Sequence, residues 1–174
     1  MKLLIASDLH GSAYYTALAL DFYRRSGAKR LLLLGDILYH GPRNDLPRDY
    51  APKKVAAMLN ELAEQIVCVR GNCEAEVDSL MLDFPPTSDY AVVIDGQTTM
   101  YLSHGHRAEP RLPQGSVYLT GHTHVPHDFT KDGVRYLNPG SVSIPKNGSL
   151  HSVMLYENGT FSLYDIETGA EYSI

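Results

Sequence analysis

The chain has 174 residues, 44% of them hydrophobic and 20% charged, with a formal net charge of −5; this is the make-up of a soluble globular protein with room for one domain and a sizeable core. The acidic balance gives no basic footprint for extended nucleic-acid binding. No run approaches the ~18 apolar residues of a membrane helix, the stretch from Leu3 to Ala6 is too short for the apolar region of a signal peptide, and Cys68 and Cys73 make no disulfide framework, so a reducing cytoplasm is the expected setting.

In chain order, the apolar run from Lys2 to Ser7 stops at Asp8-Leu9-His10-Gly11. Ser12 can cap a helix that Gly27 ends, with Tyr14, Leu18 and Phe22 at helical spacing. The run from Leu31 to Leu34 stops at Gly35-Asp36, and a loop containing Pro and Arg follows to Ala51. Pro52 suits a first helical position, and Val55, Met58, Leu59 and Leu62 give the stripe of an amphipathic helix. A third run, Ile66 to Val69, ends in Arg70-Gly71-Asn72-Cys73; Glu74 to Leu82 reads as a short helix closed off by Pro85-Pro86. The pattern then becomes one of strands. Tyr90 to Ile94 and Thr98 to Leu102 form a hairpin turning at Asp95-Gly96, Val117 to Leu119 follows, and two more hairpins turn at Lys131-Asp132-Gly133 and Glu157-Asn158-Gly159. Strand–helix alternation followed by hairpins predicts a layered α/β fold, parallel strands first and antiparallel strands later, in one domain over residues 1–174.

Five apolar runs stop at a glycine-flanked polar residue: Asp8 with His10, Asp36, Asn72, His104 with His106 close by, and His122 with His124. In layered α/β folds ligands bind beyond the carboxyl ends of the strands, so these side chains are expected in one crevice, the glycines letting the backbone turn where each strand stops. On extended backbone Asp8 and His10 would face one side together, as would His122 and His124. A mixture of carboxylate, amide oxygen and imidazole suits Mn²⁺, Fe or Zn²⁺ better than Ca²⁺. Seven such groups are too many for one tetrahedral ion and enough for two, with Asp36 central in the series and able to bridge. Taken singly, an Asp-x-His or a Gly-Asp is more often a turn, Arg-Gly-Asn more often a loop, and histidines on a surface can explain His-Thr-His. Their joint order, each after an apolar run, is what points to metal chemistry.

Asp8-Leu9-His10, Gly35-Asp36, Gly71-Asn72, His104-Gly105-His106 and Gly121-His122-Thr123-His124 resemble the signatures of the calcineurin-like metallophosphoesterases. With Asn138-Pro139-Gly140-Ser141 the sequence is most similar to the YfcE-like subgroup of small phosphodiesterases, over residues 1 to about 145. The resemblance implies a four-layer α/β/β/α sandwich with two divalent metals, Mn²⁺ in many members, with Fe, Zn²⁺ and Ni²⁺ as the other candidates. It assigns Asp8, His10, Asp36 and His124 to one metal, and Asp36, Asn72, His104 and His122 to the other. It implies hydrolysis of a phosphate ester, foremost a small phosphodiester or nucleotide-like substrate, by a hydroxide bridging the metals, with Asn72 an amide-oxygen ligand at the reaction centre.

The sequence departs from the wider superfamily at one place, where a histidine after Gly-Asn is thought to protonate the leaving group. Here Cys73 stands there, as it tends to in the YfcE-like subgroup. A thiol of pKa ~8.5 is a poor proton donor near neutral pH, so Cys73 is expected to act weakly or simply to pack. His106 is a candidate proton donor or phosphate contact, and equally an exposed loop histidine. His40, Arg43 and Arg48 are candidates to touch substrate, with solvated loop charges as the commoner alternative. Phe84-Pro85-Pro86 is either a wall of the site or a packed turn.

The rival to an enzyme is a non-catalytic scaffold or protein-interaction module, since the fold family includes a retromer scaffold subunit whose ligand positions depart from the pattern. The full set in this chain favours catalysis. A mononuclear zinc hydrolase would need three protein ligands and would leave several of these side chains idle. The 12 tyrosines would permit a homo-oligomer.

Overall fold

The computed structural model describes residues 1–173. Strands β1 (Lys2–Ala6), β2 (Arg30–Leu33) and β3 (Ile66–Cys68) pair in parallel, Leu3 opposite Arg30 and Leu31 opposite Ile66. Helix α1 (Ala13–Ser26) connects the first two and α2 (Pro52–Asn60) leads to the third. Helix α1 starts where the Ser12 hydroxyl accepts the Tyr15 N–H, and stops at Gly27, whose φ of 72° ends it in the left-handed region. Pro52 opens α2. The stretch expected to be a helix after Asn72 narrows to a 3₁₀ turn, Glu76–Leu80. There the Asp78 carboxylate accepts the Ala75 N–H at 3.0 Å and closes the turn on itself.

The second sheet takes β4 (Tyr90–Asp95), β5 (Thr98–Ser103), β6 (Val117–Leu119), β7 (His127–Lys131) and β8 (Val134–Asn138) in the order β4-β5-β6-β8-β7, with β5, β6 and β8 mutually parallel. The last hairpin, β9 (Ser152–Glu157) and β10 (Thr160–Asp165), returns to the first sheet and sets β9 antiparallel beside β1, with Leu4 opposite Leu155; β11 (Glu171–Tyr172) completes that edge.

The two sheets pack face to face, with α1 and α2 on the outer face of the first. Leu4, Ala6, Leu31 and Leu33 turn toward α1 and α2, where they meet Leu20, Phe22, Val55 and Leu59. Leu3, Ile5, Leu32 and Leu34 turn the other way, onto Met100, Leu102, Leu119 and Leu137 of the second sheet. Strands buried on both faces explain why the first runs are continuously apolar rather than alternating. Burial of each such Leu or Ile contributes roughly 1.5–3 kcal/mol. The outer face of the second sheet is crossed by the irregular segment 104–116, to which Tyr90 and Tyr136 donate through their hydroxyls, at Ala108 O and Glu109. No helix among the described residues is long and apolar enough to cross a membrane.

Candidate metal centre

The parallel strands deliver their carboxyl ends to one edge of the sandwich. Asp8 and His10 follow β1, Asp36 follows β2, Asn72 follows β3, His104 follows β5, and His122 and His124 follow β6. Five of these residues have left-handed backbone: Asp8 (φ 56°), His10 (47°), Asp36 (55°), His122 (68°) and His124 (61°). Only a few per cent of non-glycine residues do so, and each instance costs on the order of 1–3 kcal/mol, offset only where the surroundings fix the backbone. They do so here. Asp8 N–H donates to Gly35 O at 3.1 Å, His10 N–H to Asp36 O at 2.9 Å, and Gly121 N–H to His104 O at 3.0 Å. The hydroxyls of Ser141 and Ser143 both donate to Asp8 O, at 2.8 and 3.1 Å.

The strand ends differ from expectation in two respects. Asp8 converges with His10 through left-handed turns, not through the alternation of an extended segment. The glycines divide by role. Gly105 (φ 98°) supplies backbone freedom, Gly71 and Gly121 supply space, and Gly35 (φ 94°) supplies both, since a Cβ there would meet the Gly71 backbone N at 2.5 Å. A Cβ on Gly71 would run into Asp36 Oδ1, and one on Gly121 into the Ser7 hydroxyl and Asp8 Oδ2.

Three histidines are aimed alike. The Nδ1 atoms of His10, His104 and His124 lie 2.9, 2.6 and 2.6 Å from the carbonyl oxygens of Tyr39, Leu34 and Ile144. Donation of Nδ1–H to a carbonyl leaves each Nε2 with a lone pair facing the centre, the arrangement by which outer groups orient imidazole ligands. His10 Nε2 and His124 Nε2 then face each other at 3.2 Å. Asp8 Oδ1 lies 3.3, 3.6 and 4.0 Å from the Nε2 atoms of His124, His10 and His104. Asp36 Oδ2 lies 3.4 Å from His104 Nε2 and 3.8 Å from His10 Nε2, between the two ends of the site. Asn72 Oδ1 is 3.1 Å from His104 Nε2.

This set fits a divalent cation on its own geometry. Asp8 is fully buried, its Oδ2 accepts from the Ser7 hydroxyl and the His122 N–H, and its Oδ1 accepts no hydrogen bond among the described residues. An orphaned buried carboxylate oxygen is costly, and Nε2 atoms this close to one another need a positive charge between them, a proton or a metal ion. Ligand atoms of Asp8, His10 and His124 fall within 4.8 Å of one another, as do those of Asp8, Asp36 and His104. His122 stands slightly apart. Its ring is 5.1 Å from that of His104 and lines the open side of the site.

The electrostatics agree. Burial would push the Asp8 carboxyl up, but His10, His124 and His104 hold it far below the usual carboxylate range. Burial likewise opposes, and His104 outweighs it, in holding Asp36 low. Burial would lower His104, yet Asp36 and Asp8 raise it to about 9. The field that keeps a proton on a buried imidazole is one that attracts a metal cation. His122 is lowered by burial and by His104, with Arg43 adding to it.

Above the centre opens a cavity of about 380 Å³ lined by Asp36, Asn72, Cys73, His122, His124 and, at its outer walls, Arg43, Asn44 and Lys146 among others. Of the loop candidates only Arg43 reaches it. The Arg48 guanidinium stacks on the Tyr14 ring at 3.5 Å, and His40 packs edge-on against Tyr39 and Tyr50. Phe84 is buried in the helix-side core and is no wall of the cavity. His106 stands beside His104 and His122, ring centroids 5.4 and 6.2 Å away, outside the lining of the cavity. Cys73 lines the cavity, and its N–H donates to Asp36 Oδ1 at 2.9 Å. Burial, then Asp36, push its thiol far up.

Sequence reasoning missed three contributors. Glu74 accepts the N–H groups of Asp36, Ile37 and Gly71 and so ties the ends of β2 and β3 together. Its position directly after Gly-Asn-Cys was the available signal. Ser143, which shares Asp8 O with Ser141, and Lys146 carried none.

The chain belongs to the calcineurin-like phosphoesterase superfamily, whose domain matches residues 1–160. Within it, the chain is 45% identical over 167 residues to phosphodiesterase YfcE of Escherichia coli K12, covering 94% of this chain and 91% of that protein. Its structure superimposes on that of the E. coli YfcE phosphoesterase with a TM-score of 0.96 at 42% identity, covering 99% and 97% of the two chains. The zinc complex of Vps29 from Entamoeba histolytica shares the fold, with a TM-score of 0.62 at 21% identity over 99% and 96% of the chains.

Proposed function

We propose that the protein is a metal-dependent phosphodiesterase that holds two divalent ions, foremost Mn²⁺, at the strand-end centre and works on a small phosphodiester in the cytoplasm. The observation that carries the reading is the unmatched Asp8 Oδ1, ringed by three imidazole Nε2 atoms whose opposite nitrogens are fixed on backbone carbonyls. Kinship with YfcE supports the same reaction class.

Asp8, His10, Asp36 and His124 would hold one ion, and Asp36, Asn72, His104 and His122 the other, with Asp36 between. When bound, such ions supply a nucleophile at neutral pH and offset charge developing on the phosphoryl oxygens. The chain's own part is orientation. The carbonyls of Tyr39, Leu34 and Ile144 fix the imidazoles, and Glu74 and the Cys73 N–H fix Asp36. Their positions are set before substrate arrives, which is the condition for electrostatic stabilisation without reorganisation. The His122 ring and the Asn72 amide border the cavity, where the scissile phosphate would sit.

Neither candidate acid matches its task well. The Cys73 thiol is raised, so it gives up a proton reluctantly, and His106 is lowered, by burial first and then by His104, so it is neutral at physiological pH. The reaction then depends on a leaving group stable as an anion. The test is turnover of an aryl phosphodiester by Asp36→Asn and His10→Ala variants that keep the native circular-dichroism spectrum: both should lose metal-dependent turnover, and full activity in either would refute its assignment.

A further inference from the structure

Two cations at the mouth of the cavity are not used by the reaction above. Arg43 and Lys146 line it beside the candidate ligands. Among the described residues neither forms an ion pair, although Arg24, Arg25, Lys54, Arg107 and Arg135 do. Both sit on loops pinned to the centre. The Lys146 N–H donates to His124 O at 3.2 Å, and Ser149 closes that loop on Lys146 O through its N–H and its hydroxyl. On the other wall, Tyr39 O holds His10 Nδ1, and a few residues on Asn44 Nδ2 donates to His40 O at 2.7 Å, fixing the turn that carries Arg43. The two cations therefore stand on pinned loops that meet at the cavity mouth.

The scissile group would sit on the floor, at Asp8, Asp36, His10, His104 and His124, all of which are buried. Arg43 and Lys146 are exposed side chains at the rim. There they would face a part of the substrate beyond the reacting phosphorus. A simple diester carries a single negative charge, which the metal centre itself would satisfy; two further unpaired cations suit a second anion. A cavity of about 380 Å³ lies at the small end of ligand sites, which fits a compact molecule and not a polymer strand.

Resting on the phosphodiesterase reading, we propose that Arg43 and Lys146 clamp a second anionic group on the substrate, so that the protein prefers small phosphodiesters bearing a further phosphate over diesters with uncharged arms. Arg43 can grip phosphate through two parallel N–H donors, and Lys146 adds a mobile point charge opposite.

The test uses the full chain loaded with Mn²⁺ and two substrates with the same leaving group: p-nitrophenyl propyl phosphate, and the ester whose propyl arm ends in a phosphate. The wild type should favour the phosphate-ended arm by roughly tenfold or more in kcat/KM, mainly through KM, and Arg43→Ala and Lys146→Ala should each remove most of that preference. Calorimetric binding of the matching non-hydrolysable methylenephosphonates reads the same preference without turnover. Equal affinity for both arms in the wild type, or a preference that survives both substitutions, overturns the clamp. So does an equal loss for both arms, which would mean general attraction of anions. A clamp seen in binding with no hydrolysis of either ester would refute the phosphodiesterase reading, and with it the substrate preference, while keeping Arg43 and Lys146 as an anion site.

Discussion

The Glu74 carboxylate holds the backbone of Asp36: its Oε2 accepts the Asp36 N–H at 3.0 Å, its Oε1 accepts the Ile37 N–H at 2.7 Å, and Gly71 N–H donates to the same Oε2. Glu74 is 7% exposed, and its carboxylate bonds to the backbone N–H groups beside the candidate ligands. It joins the ends of β2 and β3, and thereby places Asp36 relative to Asn72. In Glu74→Gln an amide NH₂ would replace one of the accepting oxygens and face a backbone donor. That substitution should cost about 1.5–3 kcal/mol in urea unfolding and weaken metal retention about tenfold or more. Unchanged stability and metal content would show that the carboxylate is incidental.

Stability of the metal-free protein should fall as pH rises above neutrality. His104 is raised to about 9 from 6.5, because Asp36 and Asp8 overcome the burial that would lower it. The folded state thus keeps a proton that the unfolded chain releases, so this stability is complete below pH 6.5 and is lost on rising through pH 9. Glu74, raised by burial and Asp36 from 4.5 to about 7, acts in the same direction over its own window. The His104 contribution is at most about 3 kcal/mol. Metal should take the place of the proton, so that the loaded protein shows a flat or rising stability over the same range. Chemical denaturation at several pH values, with chelator and with Mn²⁺, reads both; identical profiles would argue against a cation at His104.

Cys73 should prove dispensable for proton transfer. Its thiol is pushed far up by burial and by Asp36, so Cys73→Ser should lose much less than the ~10²–10⁴ that a general acid supplies. In the same experiment kcat/KM should fall steeply along a series of aryl diesters as the leaving phenol becomes less acidic. A hundredfold loss in Cys73→Ser, with a shallow leaving-group dependence in the wild type, would restore the acid role.

Arg48 is a packing residue. Its guanidinium lies 3.5 Å from the Tyr14 ring centroid, a contact worth about 0.5–1 kcal/mol at an exposed site. Arg48→Ala should lower the unfolding free energy by that order and leave KM unchanged. A several-fold rise in KM at constant stability would return Arg48 to the list of substrate contacts.

Much of this was legible in the sequence, for physical reasons that can be located. The runs ending at Asp8, Asp36 and Asn72 marked parallel strands because Leu3 to Ala6 and Leu31 to Leu34 are buried on both faces. Abrupt stops at Gly-Asp and Gly-Asn marked the strand ends. What the sequence did not carry were pairings between distant segments. Nothing in Ser152–Glu157 says that it will lie beside β1, nor in Lys146 that its N–H will bond His124 O. Arg43 and Arg48 read alike as loop cations. Only packing separates the one at the cavity from the one on Tyr14.

The central claim, metal-dependent cleavage of a phosphodiester at the strand-end centre, is tested most directly with metal-stripped protein and bis(p-nitrophenyl) phosphate, assayed alone and after addition of Mn²⁺, beside p-nitrophenyl phosphate. Turnover that appears only with the metal, is faster on the diester, and is lost in Asp36→Asn is the predicted result. No turnover with Mn²⁺, Zn²⁺, Fe²⁺ or Ni²⁺, in protein shown by elemental analysis to bind them, would contradict it.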